Sequence, residues 1–371
     1  MGLPMLTRFD DYLTHQTSRP FAQVATSDRN FYDRYYFACH DLTGETFLVV
    51  AMGAYPNLGV IDAFATCVQR GERQYVVRAS RELASDRSRS VVGPIGVEVL
   101  EGLQSLRVWC EPNEYGLSFD LTFDGVTPPY QEPHFFRQAG DRTVMDYTRL
   151  TQTGRWSGRL QAGDEQHDVA PDGWWGARDH SWGVRPVGDR EPPSAPARDG
   201  ARGFFWNWSP MQFPDDSLMY TVSENHDASR WHEAAARLHA DAGPEPLRVV
   251  RHDLRLKPGT RLFDGGSVTF AGASGAESTV EFAPLTQLHM AGAGYAYGGD
   301  LWRHGQYHGP LAVEGETWDV TDAEFVRGIA GQNQTVCRVN EGGRAGYGIF
   351  ELIIFGLYEP YGFDSLTAVA R

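Results

Sequence analysis

The sequence predicts an all-β protein built from two antiparallel halves. At 371 residues the chain exceeds the usual size of one hydrophobic core, so two domains are expected. Glycine is abundant, with 41 residues, and aromatic residues make up 12% of the chain, whereas long stretches of helix-forming composition are nearly absent. Short apolar segments also recur roughly every 8–12 residues, which is typical of an antiparallel sandwich or barrel.

The first half contains a series of short strand-like segments. They follow a polar lead that has room for a short helix around residues 7–14. The segment 127–134 contains three prolines, which remove ladder donors, so we interpret it as a loop. The predicted strands of this half are residues 31–40, 45–52, 60–68, 74–78, 97–100, 105–110, 117–123, 148–156 and 157–160.

A second series of strands follows residues 189–200, which are rich in proline and charge and predict a linker or flap. Residues 229–239 have helix-forming composition but fit their surroundings better as a strand. The sequence therefore predicts two domains, 1–186 and 187–371. The other predicted strands of the second half are residues 203–209, 217–225, 247–256, 267–270, 279–282, 287–290, 325–328 and 346–356.

The stretch Gly173-Trp-Trp-Gly-Ala-Arg-Asp-His-Ser-Trp-Gly-Val-Arg-Pro lies at the seam between the two halves. It holds three tryptophans, two arginines, one aspartate and one histidine. Such a polar cluster is costly to bury unless its members pair with one another or with a ligand. The stretch is therefore either a functional site or a structural ion-pair cluster with packed tryptophans.

Asp179 and His180 are the first candidate pair for chemistry. A positioned acid and base contribute roughly 10²–10⁴-fold to a proton transfer. In an extended strand the two side chains face opposite ways, so they serve one pocket only where a bulge breaks the alternation. Gly176 and Gly183 would allow such a break. The alternative is a structural ion-pair network with Arg178 or Arg185.

Glu351 is the second candidate acid. It lies in Gly-Tyr-Gly-Ile-Phe-Glu-Leu-Ile-Ile-Phe-Gly, a predicted strand whose two faces are both apolar. Burial raises the pKa of a carboxyl, which would suit Glu351 to donate a proton. The alternative is a buried partner of one of the arginines.

Aromatic side chains recur on alternate positions of one predicted strand, where Phe204, Trp206 and Trp208 share a face. Such a stripe is either core or, in a barrel large enough for one ligand, the wall of a pocket. The aromatic faces would then stabilise a developing carbocation. The other candidate substrate-binding residues are Arg178, Trp175, Trp182, Asn207 and Tyr220.

Charge and motif content exclude several functional classes. The net charge of −15 argues against nucleic acid and against an anionic membrane surface. The chain has no long apolar run or secretory leader, and its four cysteines are scattered, so we expect a cytoplasmic protein with free thiols. It has no P-loop, nucleophile elbow or dinucleotide fingerprint, so no cofactor is expected. His304 and His308 give only a weak metal motif, and no metal is predicted.

The segment Gly173-Trp-Trp-Gly-Ala-Arg-Asp-His-Ser-Trp-Gly resembles the central Trp-x-Asp-His-x-Trp-Gly motif of the AttH-like / carotenoid 1,2-hydratase superfamily. Three other stretches are similar to uncharacterised bacterial proteins of that group: Leu121-Thr-Phe-Asp-Gly-Val-Thr-Pro-Pro-Tyr-Gln-Glu-Pro, Thr153-Gly-Arg-Trp-Ser-Gly, and the strand around Glu351. The resemblance covers most of the chain. It implies two consecutive lipocalin-like antiparallel β-barrels packed side by side, and proton transfer or cyclisation on large hydrophobic substrates. Arg178 departs from the bulkier neutral residue that often precedes Asp-His in relatives.

The sequence thus predicts a cofactor-independent lyase or isomerase, of hydratase, dehydratase or cyclase type. Its partner would be a hydrophobic small molecule such as a terpenoid, steroid-like or polyketide compound. Asp179 or Glu351 would donate the proton, and His180 would orient the acid or activate water. The tryptophans expected to enclose a cationic intermediate are Trp182, Trp206 and Trp208. The alternatives are a non-catalytic lipocalin-like carrier and, more weakly, a structural partner protein; a homodimer is compatible with either function.

Overall fold

The computed structural model describes residues 6–189, 202–296, 301–329 and 331–371. These residues form two antiparallel β-sheets, each nearly closed into a barrel, which confirms the predicted fold class. All of the predicted linker except Asp189 lies outside the described residues.

The strands of the N-terminal half all belong to the first sheet. A 3₁₀ helix at Arg8–Asp11 precedes them, at the position of the predicted short helix. The strands are β1 (Phe31–Asp41), β2 (Thr46–Tyr55), β3 (Val60–Gln69), β4 (Arg73–Glu82), β5 (Val91–Val92), β6 (Ile95–Glu101), β7 (Ser105–Cys110), β8 (Leu117–Gly125), β9 (Tyr130–Gln131), β10 (Phe135–Ala139), β11 (Arg142–Ala162), β12 (Glu165–Val169) and β13 (Trp174–Val184).

The C-terminal half contributes the strands of the second sheet and one strand of the first. Short 3₁₀ helices lie at Met290–Ala293 and Glu359–Tyr361, and one α-helix, α1, spans Ala323–Ile329. The strands are β14 (Gly203–Gln212), β15 (Ser217–Asn225), β16 (Arg230–Leu238), β17 (Glu245–Pro246), β18 (Arg248–Leu256), β19 (Phe263–Ala271), β20 (Glu277–His289), β21 (Leu311–Asp319), β22 (Asn333–Glu341) and β23 (Arg344–Gly356).

The first sheet runs in the order β21-β4-β3-β2-β1-β13-β11-β8-β7-β6-β5, so its edge strand β21 comes from the C-terminal half of the chain. β21 pairs with β4 along its whole length, from Leu311 opposite Arg81 to Asp319 opposite Arg73. The boundary between residues 186 and 187 remains a prediction, and the structure adds that chain from beyond it completes the first sheet.

The second sheet runs β17-β16-β15-β14-β23-β22-β20-β19-β18. Its two ends approach one another where the Glu233 carboxylate of β16 accepts a 2.7 Å hydrogen bond from the backbone N–H of Val249 in β18. β16 settles the ambiguity at residues 229–239 in favour of a strand.

One segment differs in type from its prediction. Residues 325–328 were expected to be a strand but lie in α1. The Asp322 side chain accepts hydrogen bonds from the backbone N–H groups of Glu324 and Phe325, at 2.8 and 3.2 Å. This cap satisfies backbone N–H groups that have no hydrogen-bond partner within the first turn of a helix. It therefore favours a helix over a strand in this segment.

Alternation along the described strands produces three large apolar cores, besides a smaller cluster around Trp318. Phe37 of β1 and Trp156 of β11 point into the first barrel, and Phe205 of β14 points into the second. The alternate residues, such as Tyr36 of β1 and Trp208 of β14, pack together where the outer faces of the two barrels meet. This third core forms the seam between the barrels.

Candidate active site

A cavity of about 460 Å³ lies in the seam between the two barrels. This volume is in the range of pockets that hold small organic ligands. Its walls come from β1, β11 and β13 of the first barrel and from β14 and β23 of the second. The cavity is therefore between the barrels, on their outer faces, rather than inside either barrel.

The first-barrel wall is set by the register of three neighbouring strands. Ser181 of β13 lies opposite Arg34 of β1 on one side and opposite Arg149 of β11 on the other. Two residues earlier on β13, Asp179 lies opposite Tyr36. Because side chains two apart on a strand share a face, all five line the cavity, and Asp179 sits diagonally between the two arginines.

Asp179 is a carboxyl group on the cavity wall without a hydrogen bond from any described residue. Burial raises its pKa to about 7, and the positive charges of Arg149 and Arg34 limit that rise. A carboxyl that exchanges its proton near neutral pH, in a cavity of ligand size, is suited to general acid or base chemistry.

The positive charge of Arg149 is paired with Glu132 within the cavity wall. Its Nε and Nη2 atoms donate to the two carboxylate oxygens of Glu132 at 2.7 Å each, and Thr151 Oγ1 donates to the same carboxylate at 2.7 Å. The guanidinium carbon also lies 4.9 Å from the ring centroid of Trp206 and 5.5 Å from that of Trp208. Arg149 is thus a fixed, paired cation whose charge engages the aromatic wall opposite.

The second-barrel wall is largely aromatic and aliphatic. Phe204, Trp206 and Trp208 of β14 share one face and line the cavity. β23 pairs with β14 so that Glu351 lies opposite Trp208 and Ile353 lies opposite Trp206. The alternating stripe predicted from the sequence is therefore a cavity wall, although it lies outside the barrel rather than within it.

Glu351 lines the same cavity but is held as a hydrogen-bond acceptor. Trp206 Nε1 donates to its Oε1 at 2.7 Å, and Gln334 Nε2 donates to its Oε2 at 2.5 Å. The Gln334 carbonyl in turn accepts a 2.5 Å hydrogen bond from the Tyr36 hydroxyl across the seam. Both carboxylate oxygens of Glu351 are thus occupied by side-chain donors, whereas Asp179 accepts no hydrogen bond from a described residue, so Asp179 is the better candidate proton donor.

His180 does not share the cavity with Asp179. β13 pairs in continuous register with both neighbours through this region, so no bulge breaks the alternation. His180 Nε2 lies 2.7 Å from Asp33 Oδ1, and its ring is 4.5 Å from that of Tyr35. The ring of Trp182, which is 39% exposed, is 5.3 Å away. The structure thus assigns His180 and Trp182 to the face away from the cavity.

Arg178 and Trp175 also lie outside the cavity. Arg178 points into the first barrel, where its Nε donates to Gln152 Oε1 at 2.8 Å, and burial lowers its pKa to about 10. Trp175 packs edge-on against Tyr347 at 5.7 Å, at the end of the strand remote from Asp179. The alternation of β13 excludes Arg178 from the ligand space.

Asn207 and Tyr220 face the interior of the second barrel. The Tyr220 hydroxyl donates to the Asn207 side-chain carbonyl, and the Asn207 amide donates to the backbone carbonyl of Glu351 at 2.8 Å. These contacts place Asn207 behind the strand that carries Glu351. They stabilise that strand and leave neither side chain in contact with the cavity.

The cavity has a further acid–base pair that the sequence did not reveal. His304 lines the cavity, and its Nδ1 lies 3.5 Å from Oδ1 of buried Asp62, while its Nε2 has no hydrogen-bond partner among the residues that the structure describes. Burial raises the pKa of Asp62 to about 7 and lowers that of His304 well below its usual value.

His308, the other histidine of the weak metal motif, stacks on Trp302 with a ring-centroid distance of 3.6 Å. Among the described ranges, no three His, Cys, Asp or Glu side chains group as metal ligands would.

Sequence reasoning also missed Arg34, Arg149 and Tyr295 as cavity residues. A signal existed for the two arginines, since each stands among aromatic residues at alternate positions: Arg34 between Tyr32 and Tyr36, and Arg149 two residues after Tyr147. A charged residue on an otherwise apolar strand face indicates a partner or a ligand.

The family model described as "Family of unknown function (DUF8625)" matches residues 6–364 of the chain. No curated protein matches the sequence. Within the ranges that the structure describes, none of the helices has the length and apolar character needed to cross a membrane.

Several solved structures are similar to this chain. A Nitrosomonas europaea protein assigned as AttH superposes over 91% of this chain and 97% of its own, with a TM-score of 0.51 and 16% identity. CghA covers 89% of each chain with a TM-score of 0.53 and 10% identity. Kievitone hydratase from Nectria haematococca covers 86% of this chain and 88% of its own, with a TM-score of 0.42 and 13% identity. The likeness to AttH and CghA confirms, for the fold, the predicted AttH-like resemblance.

Proposed function

The chain belongs to DUF8625, a family of unknown function, and we propose that it is a lyase or isomerase that transfers a proton to a hydrophobic small molecule without a cofactor. The substrate classes that suit the cavity are terpenoid, steroid-like and polyketide compounds. The reaction is of hydratase, dehydratase or cyclase type.

Asp179 carries this proposal. It is the carboxyl on the cavity wall that no described residue binds, and its pKa of about 7 leaves it partly protonated at neutral pH. Facing it are Trp206, Trp208 and Ile353, which supply an apolar surface for a substrate skeleton. In this setting the Asp179 carboxyl donates a proton to a substrate oxygen or alkene, and its carboxylate takes one back.

The charges around the cavity modify the predicted mechanism. Trp182 lies outside the cavity, and the Arg149 guanidinium already engages the rings of Trp206 and Trp208. A carbocation beside these rings would meet a fixed positive charge. The arrangement therefore favours steps in which Asp179 protonates a substrate oxygen, because the negative charge left on the Asp179 carboxylate then lies near the arginines.

The test follows proton transfer directly. Purified protein is incubated in D₂O with a panel of hydrophobic alkenes and tertiary alcohols, and mass spectrometry records gain or loss of water, isomers and deuterium incorporation. We expect Asp179→Asn to lower the rate about 10²–10⁴-fold. The matched control is His180→Gln, on the same strand but facing away from the cavity, which should retain the rate.

Two results would contradict the proposal. One is full turnover in Asp179→Asn. The other is a wild-type rate that does not fall as the pH rises above about 7, where Asp179 loses its proton.

The second candidate is a non-catalytic carrier of a hydrophobic ligand. The separation of His180 from Asp179 favours it, because the predicted acid–base pair is not assembled in the cavity. In the same experiment, a carrier would bind members of the panel equally well in wild type and Asp179→Asn and would give no product.

A further inference from the structure

Arg34 is a buried cation on the cavity wall that forms no ion pair with a described carboxylate. Its side chain is 3% exposed, and no carboxylate among the described residues lies within 4.0 Å of its nitrogen atoms. Arg149, on the other side of the same wall, is held by two charged hydrogen bonds to Glu132. The two arginines are thus similar in burial and in strand position. They differ in that Arg149 is paired with a carboxylate and Arg34 is not.

The groups in contact with Arg34 are aromatic and neutral, and the carboxyl groups of Asp179 and Asp62 act on it electrostatically from beyond the 4.0 Å of an ion pair. The ring centroids of Tyr295 and Tyr32 lie 5.0 and 5.5 Å from its guanidinium carbon. The Tyr55 and Tyr295 hydroxyls adjoin it, and burial raises the pKa of both, so they remain uncharged at neutral pH. Isolating a cation in such surroundings is costly, and the cost is recovered when an anion binds.

Two further cavity arginines, Arg185 and Arg303, form no ion pair with a described carboxylate. Within the described part of the chain, the buried Nε of Arg303 has no hydrogen-bond partner. On the acidic side, the cavity contains Asp179 and the hydrogen-bonded Glu351. Among the described residues the cavity therefore has an excess of positive charge, and Arg34 and Arg185 meet beside the Tyr32 ring, in a protein whose net charge is −15.

We propose that the cavity takes a hydrophobic carboxylic acid, with its carboxylate paired to Arg34 and its carbon skeleton against the wall of Trp206 and Ile353. A planar guanidinium matches a carboxylate with two parallel hydrogen bonds, which makes Arg34 the specific contact. The inference uses the cavity of the proposed function and narrows its substrates to amphipathic acids.

The binding test uses two probes of equal chain length, dodecanoate and dodecanol, titrated calorimetrically into the intact protein. Dodecanoate should bind wild type more tightly than dodecanol does, and Arg34→Gln should weaken dodecanoate about 10–100-fold while leaving dodecanol unchanged. Arg34→Lys keeps the charge and should recover part of the loss. Equal affinity for both probes, or no Arg34 dependence, overturns the inference. So does Arg34-dependent binding of inorganic phosphate as tight as that of dodecanoate, which would indicate a site for small anions.

Thermal unfolding separates a ligand-binding arginine from a structural one. Arg34→Gln removes an uncompensated buried charge, so the unfolding temperature of the ligand-free protein should stay or rise. Arg149→Gln leaves the buried Glu132 carboxylate without its cationic partner and should lower the unfolding temperature. A similar fall in both variants would make Arg34 structural and would overturn the inference.

The outcome is independent of the proposed chemistry. If Arg34 governs dodecanoate binding while Asp179→Asn leaves proton transfer intact, the proposed function fails and the acid site stands. If proton transfer requires Asp179 but dodecanoate does not bind, the function stands and the acid site is wrong.

Discussion

Burial in the cavity wall raises the pKa of the Asp179 carboxyl group from its ordinary value of 3.8 to about 7. The unfolded chain loses this proton at lower pH than the folded protein does. The stability that the group contributes is therefore fully present below pH 3.8 and is lost as the pH rises through about 7. Asp179 makes the fold less stable under alkaline conditions.

We expect Asp179→Asn to be more stable than wild type at about pH 9, and to lose that advantage towards about pH 4. A shift of this size corresponds to at most roughly 4 kcal/mol of unfolding free energy. Urea unfolding of both proteins across this range measures the difference. Asp62, whose pKa is also raised to about 7, is present in both and cancels. A difference between the two proteins that is constant with pH would show that Asp179 has an ordinary pKa.

The residue types and their alternation were enough to predict which side chains share a face. They predicted that Trp206 and Trp208 share one face of a strand, and that Asp179 and His180 lie on opposite faces unless a bulge intervenes. They could not supply the pairing of Arg149 with Glu132 or the isolation of Arg34, because those depend on loops and strands distant in sequence. Burial and charge compensation depend on how the two barrels pack at the seam, so the sequence of a single strand does not reveal them.

At the scale of the element, β13 owes its position between β1 and β11 to close packing at Gly176. A Cβ at this position would lie 1.9 Å from the Ala38 carbonyl oxygen and 2.8 Å from Trp156 Nε1. Trp156 Nε1 donates to that same carbonyl at 2.9 Å. Gly176 thus permits close approach rather than the bulge that the sequence suggested.

We expect Gly176→Ala to destabilise the protein by about 1–3 kcal/mol, because the methyl group would force β1 and the Trp156 ring apart. Denaturant unfolding monitored by tryptophan fluorescence measures the change. Gly173→Ala is the matched control three residues earlier, where the nearest atom, the Ala170 carbonyl oxygen, is 3.9 Å from the added carbon. Equal stability losses in the two variants would exclude a packing role for Gly176.

Many strands with strong alternation were predicted, whereas β10, β12, β21 and β22 were missed and α1 was expected to be a strand. The α1 segment shows an apolar pair that suits a strand, but capping by Asp322 decides its conformation. β21 has a strand-like pattern that is weak in apolar residues, since it pairs at an edge of the first sheet with part of its surface exposed. No local signal shows which sheet such an edge strand joins.

At the scale of the molecule, the two barrels depend on a shared core. Val49, Phe47 and Tyr36 of the first barrel pack in one cluster with Trp208 and Met219 of the second. The barrels also exchange hydrogen bonds across the seam, and β21 passes from the C-terminal half of the chain to the edge of β4. The cavity exists only where these two outer faces meet.

This dependence predicts the behaviour of the chain when it is divided at the expected domain boundary. Fragment 1–186 alone lacks the strand that pairs with residues 73–81, and it exposes the apolar seam to water. We expect it to be insoluble or to unfold without cooperativity, and to be recovered in soluble form when 187–371 is produced in the same cells. Co-purification through a tag on 1–186 measures this, and hydrogen exchange at residues 73–81 reports whether β21 has paired.

A variant of the second fragment tests whether β21 is responsible for the rescue. A Cβ at Gly315 would lie 2.3 Å from the Tyr115 ring, so Gly315→Val in fragment 187–371 should prevent β21 from docking and weaken the rescue. The effect should appear as faster exchange at residues 73–81, because β4 then has an open edge in place of the β21 ladder. Cooperative unfolding of 1–186 by itself would show that the first barrel is autonomous. The seam cavity would then belong to two independent domains that meet, rather than to one folding unit.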